Sequence, residues 1–443
     1  MDGRSVKQES KADVEGDKVD NTNKAFSKFL LLWSGQFVAA IGSGLTSFGL
    51  GVYIYQQTGM ASQMAFVTLL AFLPGLLLSP VAGVLADRYD RRLLMVAGDG
   101  LSAIGLVFIL ICMANGGAQL WQICVGVTIS SIFSSLLEPA YKATVTDLLT
   151  EEQYSKASGL VQIAGSAKYL LSPFIAGYLL AITNIKLLLV IDICTLLLTV
   201  VTTLAVRRQI STKKQERSGT FFGELKKGWE AVSQNNGVRS LVLLSMVITF
   251  AIGFIQTLFT PLILSFADSA TLGRLESIAA SGMLVTSLLI GIVTFKKSYV
   301  KMLALSLFFA GIFMAGFGLQ ENVFLITVSG FLFFAMLPFA NTALDYLLRT
   351  NIDNSLQGRA WGIVGIVSQL GYVVAYMLCG VLADYLFTPM LVEGGVLTDS
   401  IGKIIGVGSG RGTGLLIILA GFLLCITALV LYQSRAVKGL EEN

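Results

Sequence analysis

Twelve long apolar runs limit what this chain can fold into more than any other feature it has. They lie near residues 29–54, 63–86, 93–114, 120–147, 156–182 and 186–206, then near 239–265, 276–296, 300–319, 322–348, 359–386 and 412–433. As an α-helix each is long enough to cross roughly 30 Å of hydrocarbon at about 1.5 Å per residue. Inside a bilayer every backbone N–H and C=O must find its partner within the protein, so runs of this kind are helices. Strands of a membrane barrel would alternate apolar and polar residues, and these runs do not. Charged residues occupy 13% of the 443 positions, about half the share in soluble domains, while 54% are hydrophobic. The expected fold class is an all-α, multi-pass integral protein of the cell membrane.

Basic residues orient it. About 25 of the 31 Lys and Arg fall on the N-terminal tail, the loops after even-numbered runs and the C-terminus, against about four on the opposite loops. Both termini are therefore expected in the cytoplasm. Residues 1–28 are polar, lack an apolar core, and read as a disordered tail and not a signal peptide. Two six-helix bundles are expected over 29–206 and 239–434, joined by a basic cytoplasmic linker, 207–238, and followed by a short tail, 435–443. Within the linker, Phe221, Phe222, Leu225, Trp229 and Val232 have helical spacing around Lys226 and Lys227. That pattern predicts an amphipathic helix on the inner leaflet.

Several chemistries drop out. The chain has no histidine, which removes His triads, His metal sites and His proton relays. Its five cysteines (Cys112, Cys124, Cys194, Cys379, Cys425) lie in apolar stretches without metal-ligand spacing and read as packing residues. Gly406–Gly414 lacks the spacing and the Lys-Ser/Thr of a phosphate loop. No nucleic-acid signature, catalytic dyad, metal set or cofactor motif is present, so an enzyme is not expected.

Gly83-Val84-Leu85-Ala86-Asp87-Arg88-Tyr89-Asp90-Arg91-Arg92 closes the second run. It resembles the loop between helices 2 and 3 of major facilitator superfamily transporters, G-x-L-A-D-R-x-G/D-R-R/K. Its first five residues recur verbatim as Gly380–Asp384 near the end of the eleventh run. Pro139 and Pro338 each stand nine residues before a Leu-Leu pair. Such internal repeats fit three-helix units doubled into two pseudo-symmetric halves. Leu32-Trp33-Ser34-Gly35-Gln36, Tyr55-x-x-Thr58-Gly59 and Asp147–Glu152 look like the drug and siderophore exporter branch, which includes macrolide-efflux and enterobactin-export proteins.

The resemblance implies roles. The equivalent of Asp87 caps the start of the eleventh helix, here near Gly358–Gly362, and latches the halves on the inner side. Gly83 would allow close approach, and Arg88, Arg91 and Arg92 would pair with acids such as Asp147 or Asp345. Asp90 stands where the family has Gly, and is expected to add a local salt bridge. Ser172, Pro173, Ala176 and Gly177 resemble the G-P-x-x-G-G element of antiporters, although small residues and a proline also suit plain helix packing. The family's common Arg on the fourth helix is missing; its place falls on Ser130.

Charged side chains inside the membrane each cost about 2.5–3.5 kcal/mol if unpaired. Glu138 and Lys142 share a helix face four residues apart, and Lys168 stands mid-helix in the fifth run. Glu138 could carry the coupling proton with the lysines tuning it, or form a structural salt bridge. Asp99 and Asp192 are the other candidates, Asp99 with latch or capping duty equally open. Gln36, Gln256, Asn341, Tyr346, Tyr372 and Tyr376 are candidate cavity groups for an amphipathic substrate. The expectation is a monomeric, proton-driven exporter of amphipathic small molecules such as macrolide-like drugs or siderophores, working by alternating access. Its partners would be that substrate, protons and the bilayer. The alternatives are a facilitator or importer, a lipid or siderophore translocator, or a non-transporting membrane sensor.

Overall fold

Polar residues at the edges of the apolar runs set where the helices start. The computed structural model describes residues 5–207, 221–292, 298–354 and 356–441. Among these residues twelve helices are long and apolar enough to span a membrane. They are α1 Ala25–Thr58, α2 Ala61–Arg88, α3 Arg91–Ala114, α4 Leu120–Leu148, α5 Lys156–Ile182 and α6 Ile185–Val206. The second set is α7 Asn236–Leu264, α8 Ser269–Ile292, α9 Tyr299–Leu319, α10 Val323–Thr350, α11 Gln357–Leu391 and α12 Ser409–Gln433. Asp90 caps α3 by accepting from the Arg92 N–H at 3.0 Å. Asn235 does the same for α7 and Asn322 for α10, each taking two first-turn N–H groups.

Some boundaries differ from the apolar pattern, for physical reasons. α8 starts at Ser269, two turns ahead of its apolar stretch, because Asp268 caps it through the Thr271 N–H at 2.8 Å. The helix containing α1 runs unbroken from Ser5. α4 breaks at Ser135 and resumes at Leu137. Pro139 supplies no N–H and crowds the preceding turn, which accounts for the break. α12 opens at Ser409 within the glycine-rich stretch. There Gly406 and Gly408 have φ of +95° and +152°, and a Cβ on Gly410 would stand 2.7 Å from the Ser265 Cβ. Buried Arg411 donates to the Ile405 carbonyl at 2.9 Å and the Gly318 carbonyl at 3.1 Å, tying the loop before α12 to the end of α9.

The helices sort into two compact units. One comprises Met1–Gly44, Pro74–Lys168 and Lys186–Glu216; the other Leu45–Leu73, Tyr169–Ile185 and Arg217–Asn443. The second unit thus holds α7–α12 together with the C-terminal part of α1, the N-terminal part of α2 and the C-terminal part of α5. Its core is one continuous apolar cluster running from Val52 and Ala65 through Leu258, Leu303 and Phe333 to Leu440. The first unit centres on Phe29, Leu32, Met95, Ala140 and Val206.

Helices cross closely where glycine removes the side chain, which is how apolar helices gain contact in lipid. The linker helix Phe221–Ser233 packs on the start of α11: a Cβ on its Gly228 would stand 3.0 Å from Ile363, and Val232 is fully buried. The C-terminal turn docks too. Val437 and Leu440 are buried, and Glu441 accepts from the Val300 N–H at 2.7 Å, capping α9.

Candidate functional site

In the first unit, the charged motif at the end of α2 folds onto α3 and α4. Arg91 donates to the Ala86 and Ala143 carbonyls at 3.2 Å each and pairs with Asp147 at 2.7 Å. Arg92 is 1% exposed, the largest fully buried side chain described. Asp90 serves as the α3 cap. Asp345 lies in the other unit, where Arg349 one turn along α10 holds it at 2.7 Å. Gly83 has open space around its Cβ position.

Deeper in the first unit lie two buried carboxylates. Asp99 on α3 accepts from the Gln36 amide of α1 at 3.4 Å, with the Thr199 hydroxyl of α6 beside it. It sits eight residues into α3. Asp192 of α6 lies against the α1 backbone, where a Cβ on Gly42 would come 3.0 Å from its Oδ1. Each carboxylate is 2% exposed. Glu138 and Lys142 do meet, at 2.6 Å, but their side chains are 76% and 69% exposed. Lys168 is half-buried on α5.

The place of the family's arginine is filled by close packing. Ser130 of α4 hydrogen-bonds Ser102 of α3, oxygen to oxygen, at 2.7 Å. A Cβ on Gly105 would stand 2.9 Å from the Ser130 nitrogen, so the two backbones nearly touch there.

The second unit gathers a polar–aromatic cluster from three helices. The Tyr376 hydroxyl on α11 donates to the Gln256 amide oxygen on α7 at 2.6 Å. Phe72 of α2 lies 5.7 Å, centroid to centroid, from both Tyr372 and Tyr376, which are 6.0 Å apart. Ring separations of this order suit offset and edge-on contact. Gln256, Tyr372 and Tyr376 are thereby brought together. Tyr346 is not: it stacks on Tyr299, 3.7 Å away, near the opposite end of α10. Asn341 is exposed.

The Ser172–Gly177 element is a helix crossing within this unit. A Cβ on Gly177 would stand 2.5 Å from the Ser269 carbonyl oxygen and 3.1 Å from the Gly273 Cα, while one on Gly273 would collide with the Pro173 carbonyl. Ser172 and Ala176 are fully buried.

Three residues escaped the sequence reading. Phe72 is one of 27 phenylalanines and nothing in its neighbourhood marks it. Glu276, on α8, is half-buried and makes no hydrogen bond or ion pair among the described residues. An isolated carboxylate two turns into an apolar helix was the available signal. Asp384 accepts from the Ala61 N–H at 3.1 Å and the Ser62 N–H at 2.7 Å. Its signal was the repeated pentapeptide. No group of three or more metal-binding side chains converges among the described residues.

Comparison with known proteins places this architecture. The family model described as Major Facilitator Superfamily matches residues 32–376. The chain belongs to the major facilitator superfamily. It is 26% identical over 362 residues to macrolide efflux protein A of Streptococcus pyogenes, covering 81% of this chain and 89% of that one. To multidrug resistance protein 2 of Bacillus subtilis strain 168 it is 25% identical over 410 residues, covering 86% and 95%. To the lysophospholipid transporter LplT of Yersinia pestis it is 25% identical over 263 residues, covering 56% and 61%. Among solved structures the nucleoside transporter NupG superposes with a TM-score of 0.74 at 12% identity, covering 92% of this chain and all of that one. A bacterial homologue of the human lysosomal transporter Spinster gives 0.70 at 13%, covering 94% and 98%. At those identities the structures speak for the fold alone. This superfamily member is a secondary transporter that moves small molecules across a membrane, with its twelve helices in the multi-pass arrangement its sequence implies.

Proposed function

We propose that this transporter exports amphipathic small molecules, macrolide-like in their mix of apolar bulk and polar groups, in exchange for protons. The observation that carries the substrate class is the cluster of Phe72, Tyr372 and Tyr376 with Gln256: aromatic faces for an apolar body beside a few polar groups that orient it. The names of the efflux relatives support the direction of transport. Coupling is assigned to Asp99 ahead of Glu138. Glu138 already has Lys142 as a fixed partner in exposed surroundings, whereas buried Asp99 faces the neutral side chains Gln36 and Thr199. A proton arriving at Asp99 would relieve a buried charge that no described cation balances. Each proton entering down 100 mV brings about 2.3 kcal/mol before any pH difference. On the inner face Asp87 is the proposed latch against the start of α11, with Arg91 held by Asp147 as its support.

The test is transport in inverted vesicles with a macrolide probe, with and without a proton gradient. Wild type should accumulate the probe only with the gradient. Asp99→Asn should lose accumulation yet still exchange probe for probe, and Tyr376→Phe should weaken probe binding about five-fold through one lost hydrogen bond. Equal accumulation without a gradient would point instead to a facilitator, and flux of lysophospholipid alone to a lipid translocator. Gradient-driven flux undiminished in Asp99→Asn but lost in Glu276→Gln would move the coupling site to α8.

A further inference from the structure

The first turn of a helix leaves backbone N–H groups without intrahelical partners, and the residue just before it usually supplies an acceptor. At the start of α2 that position is held by Met60, whose side chain carries no oxygen. Its own N–H donates to the Thr58 hydroxyl at 3.2 Å, after a turn in which Gly59 has φ of +65°. The acceptor comes from 322 residues away. Asp384 of α11 presents one carboxylate oxygen to the Ala61 N–H and the other to the Ser62 N–H, at 3.1 and 2.7 Å. An anion at this end of a helix also meets the positive end of its dipole.

Two further features point the same way. Gly380, one turn before Asp384, lets the backbones meet: a Cβ there would stand 2.5 Å from the Ser62 Cα and 2.9 Å from the Ala61 carbonyl oxygen. The segment Ala383–Phe387 is also wound more widely than an α-helix, with the Thr388 N–H bonded to the Ala383 carbonyl five residues back. Single wide turns of this sort recur at functional sites, where they re-aim a side chain. The aimed residue here is Asp384.

We propose that Asp384 is an outer latch. It lends α2 its N-terminal cap, holds the outer ends of α2 and α11 together, and lets go when the outer face opens. The aspartates that end the two copies of Gly-Val-Leu-Ala-Asp then do one job at opposite faces, Asp87 inside and Asp384 outside. This role rests on the alternating-access reading above, but its readout needs neither a substrate nor a gradient.

The experiment measures outer accessibility. In a full-length chain whose five cysteines are replaced by alanine, a reporter is introduced by Ala65→Cys, a site on α2 that is 1% exposed. An Ala310→Cys reporter, deep in the second-unit core and fully buried, serves as control. Intact cells are treated with a membrane-impermeant maleimide. Asp384→Asn, which removes the charge, and Gly380→Ala, which wedges the backbones apart, should each raise labelling at position 65 by about five- to thirty-fold, with position 310 unchanged. Unchanged labelling at 65 in both folded variants overturns the latch. So does an equal rise at both positions, which would mean a general loss of packing. If no compound is ever transported, the labelling result still stands, so failure of the latch and failure of the transport reading remain distinguishable.

Discussion

Replacing Gly177 by alanine asks whether the α5–α8 crossing is a moving part or a fixed joint. The new methyl would stand 2.5 Å from the Ser269 carbonyl oxygen and 3.1 Å from the Gly273 Cα. Both are backbone atoms, so no rotamer change makes room. Ordinary contact begins at 3.4 Å, and the helices must part locally by about 0.9 Å. Overpacking of this kind costs about 1–3 kcal/mol, and alanine's better helix propensity returns up to about 1 kcal/mol. The propensity gain is present in both conformers and cancels between them, so the overpacking penalty of about 1–3 kcal/mol sets the balance. That penalty applies only to the conformer in which α5 and α8 touch, so under alternating access that conformer loses population by about 5- to 150-fold.

Gly165→Ala is the matched control, on the same helix with nothing within 4 Å of its Cβ position. It should be neutral or slightly stabilising. A reporter cysteine introduced by Ala176→Cys, at a fully buried site in the crossing, follows outer accessibility through its labelling rate, beside the thermal unfolding midpoint. The expected result is faster labelling in Gly177→Ala and wild-type labelling in Gly165→Ala. If Gly177→Ala lowers the midpoint without raising the labelling rate, the crossing is a static joint and the reasoning fails. If the two variants behave alike, the contact itself is not as tight as described.

Two more predictions follow from local geometry. Ser130→Arg, which restores the family's residue, should lower the unfolding midpoint and leave gradient-driven flux no higher, because it removes the Ser130–Ser102 hydrogen bond where α3 and α4 approach closely; a stable variant with stronger coupling would refute this. Asp268, outside the spans, is held below its ordinary carboxyl value of 3.8 by the Thr271 side chain and N–H, with Arg274 nearby. A lowered folded value means its contribution is present above that ordinary value and fades as pH falls through the folded one. Asp268→Ala should therefore cost about 1 kcal/mol of cap energy at pH 7, with the gap in midpoint narrowing as pH falls below the ordinary carboxyl value; a gap independent of pH would refute the carboxylate's part in it.

The sequence revealed the spans because a bilayer leaves the backbone no alternative to helix. It misplaced ends that depend on a cap or a proline. α8 begins seven residues before its expected start because Asp268 caps it ahead of its apolar stretch. α4 breaks before Pro139 although the apolar run continues. Site residues were legible in proportion to how local their chemistry is. Arg91 with Asp147 and Glu138 with Lys142 could be read from motif and spacing. Tyr372, Tyr376 and Gln256 could be nominated as polar groups in apolar helices, but their meeting with Phe72, and the separation of Tyr346 from them, depend on helix azimuth, which no one-dimensional pattern carries. The repeated pentapeptide showed that Asp384 resembles Asp87, but its contact with the Ala61 and Ser62 N–H groups lies across 322 residues and no local pattern carries it.

That contact bears on energetics as well as on geometry. On the proposed reading an aspartate caps the opposing helix at each end of the α2–α11 pair, and the close glycine belongs to the outer end alone, since Gly380 abuts Ser62 while Gly83 has open space. Opening either face then releases one carboxylate cap, so the capping energies lost in the two open states are comparable. A small energy gap is what a transporter driven by about 2.3 kcal/mol per proton per 100 mV requires, since a lopsided pair of latches would leave one state unpopulated. It follows that Asp384→Asn and the matching change at Asp87 should bias the protein in opposite directions, and that the double variant should sit nearer wild type in outer labelling than either single variant. Additive defects in the same direction would show that the two aspartates do not oppose each other.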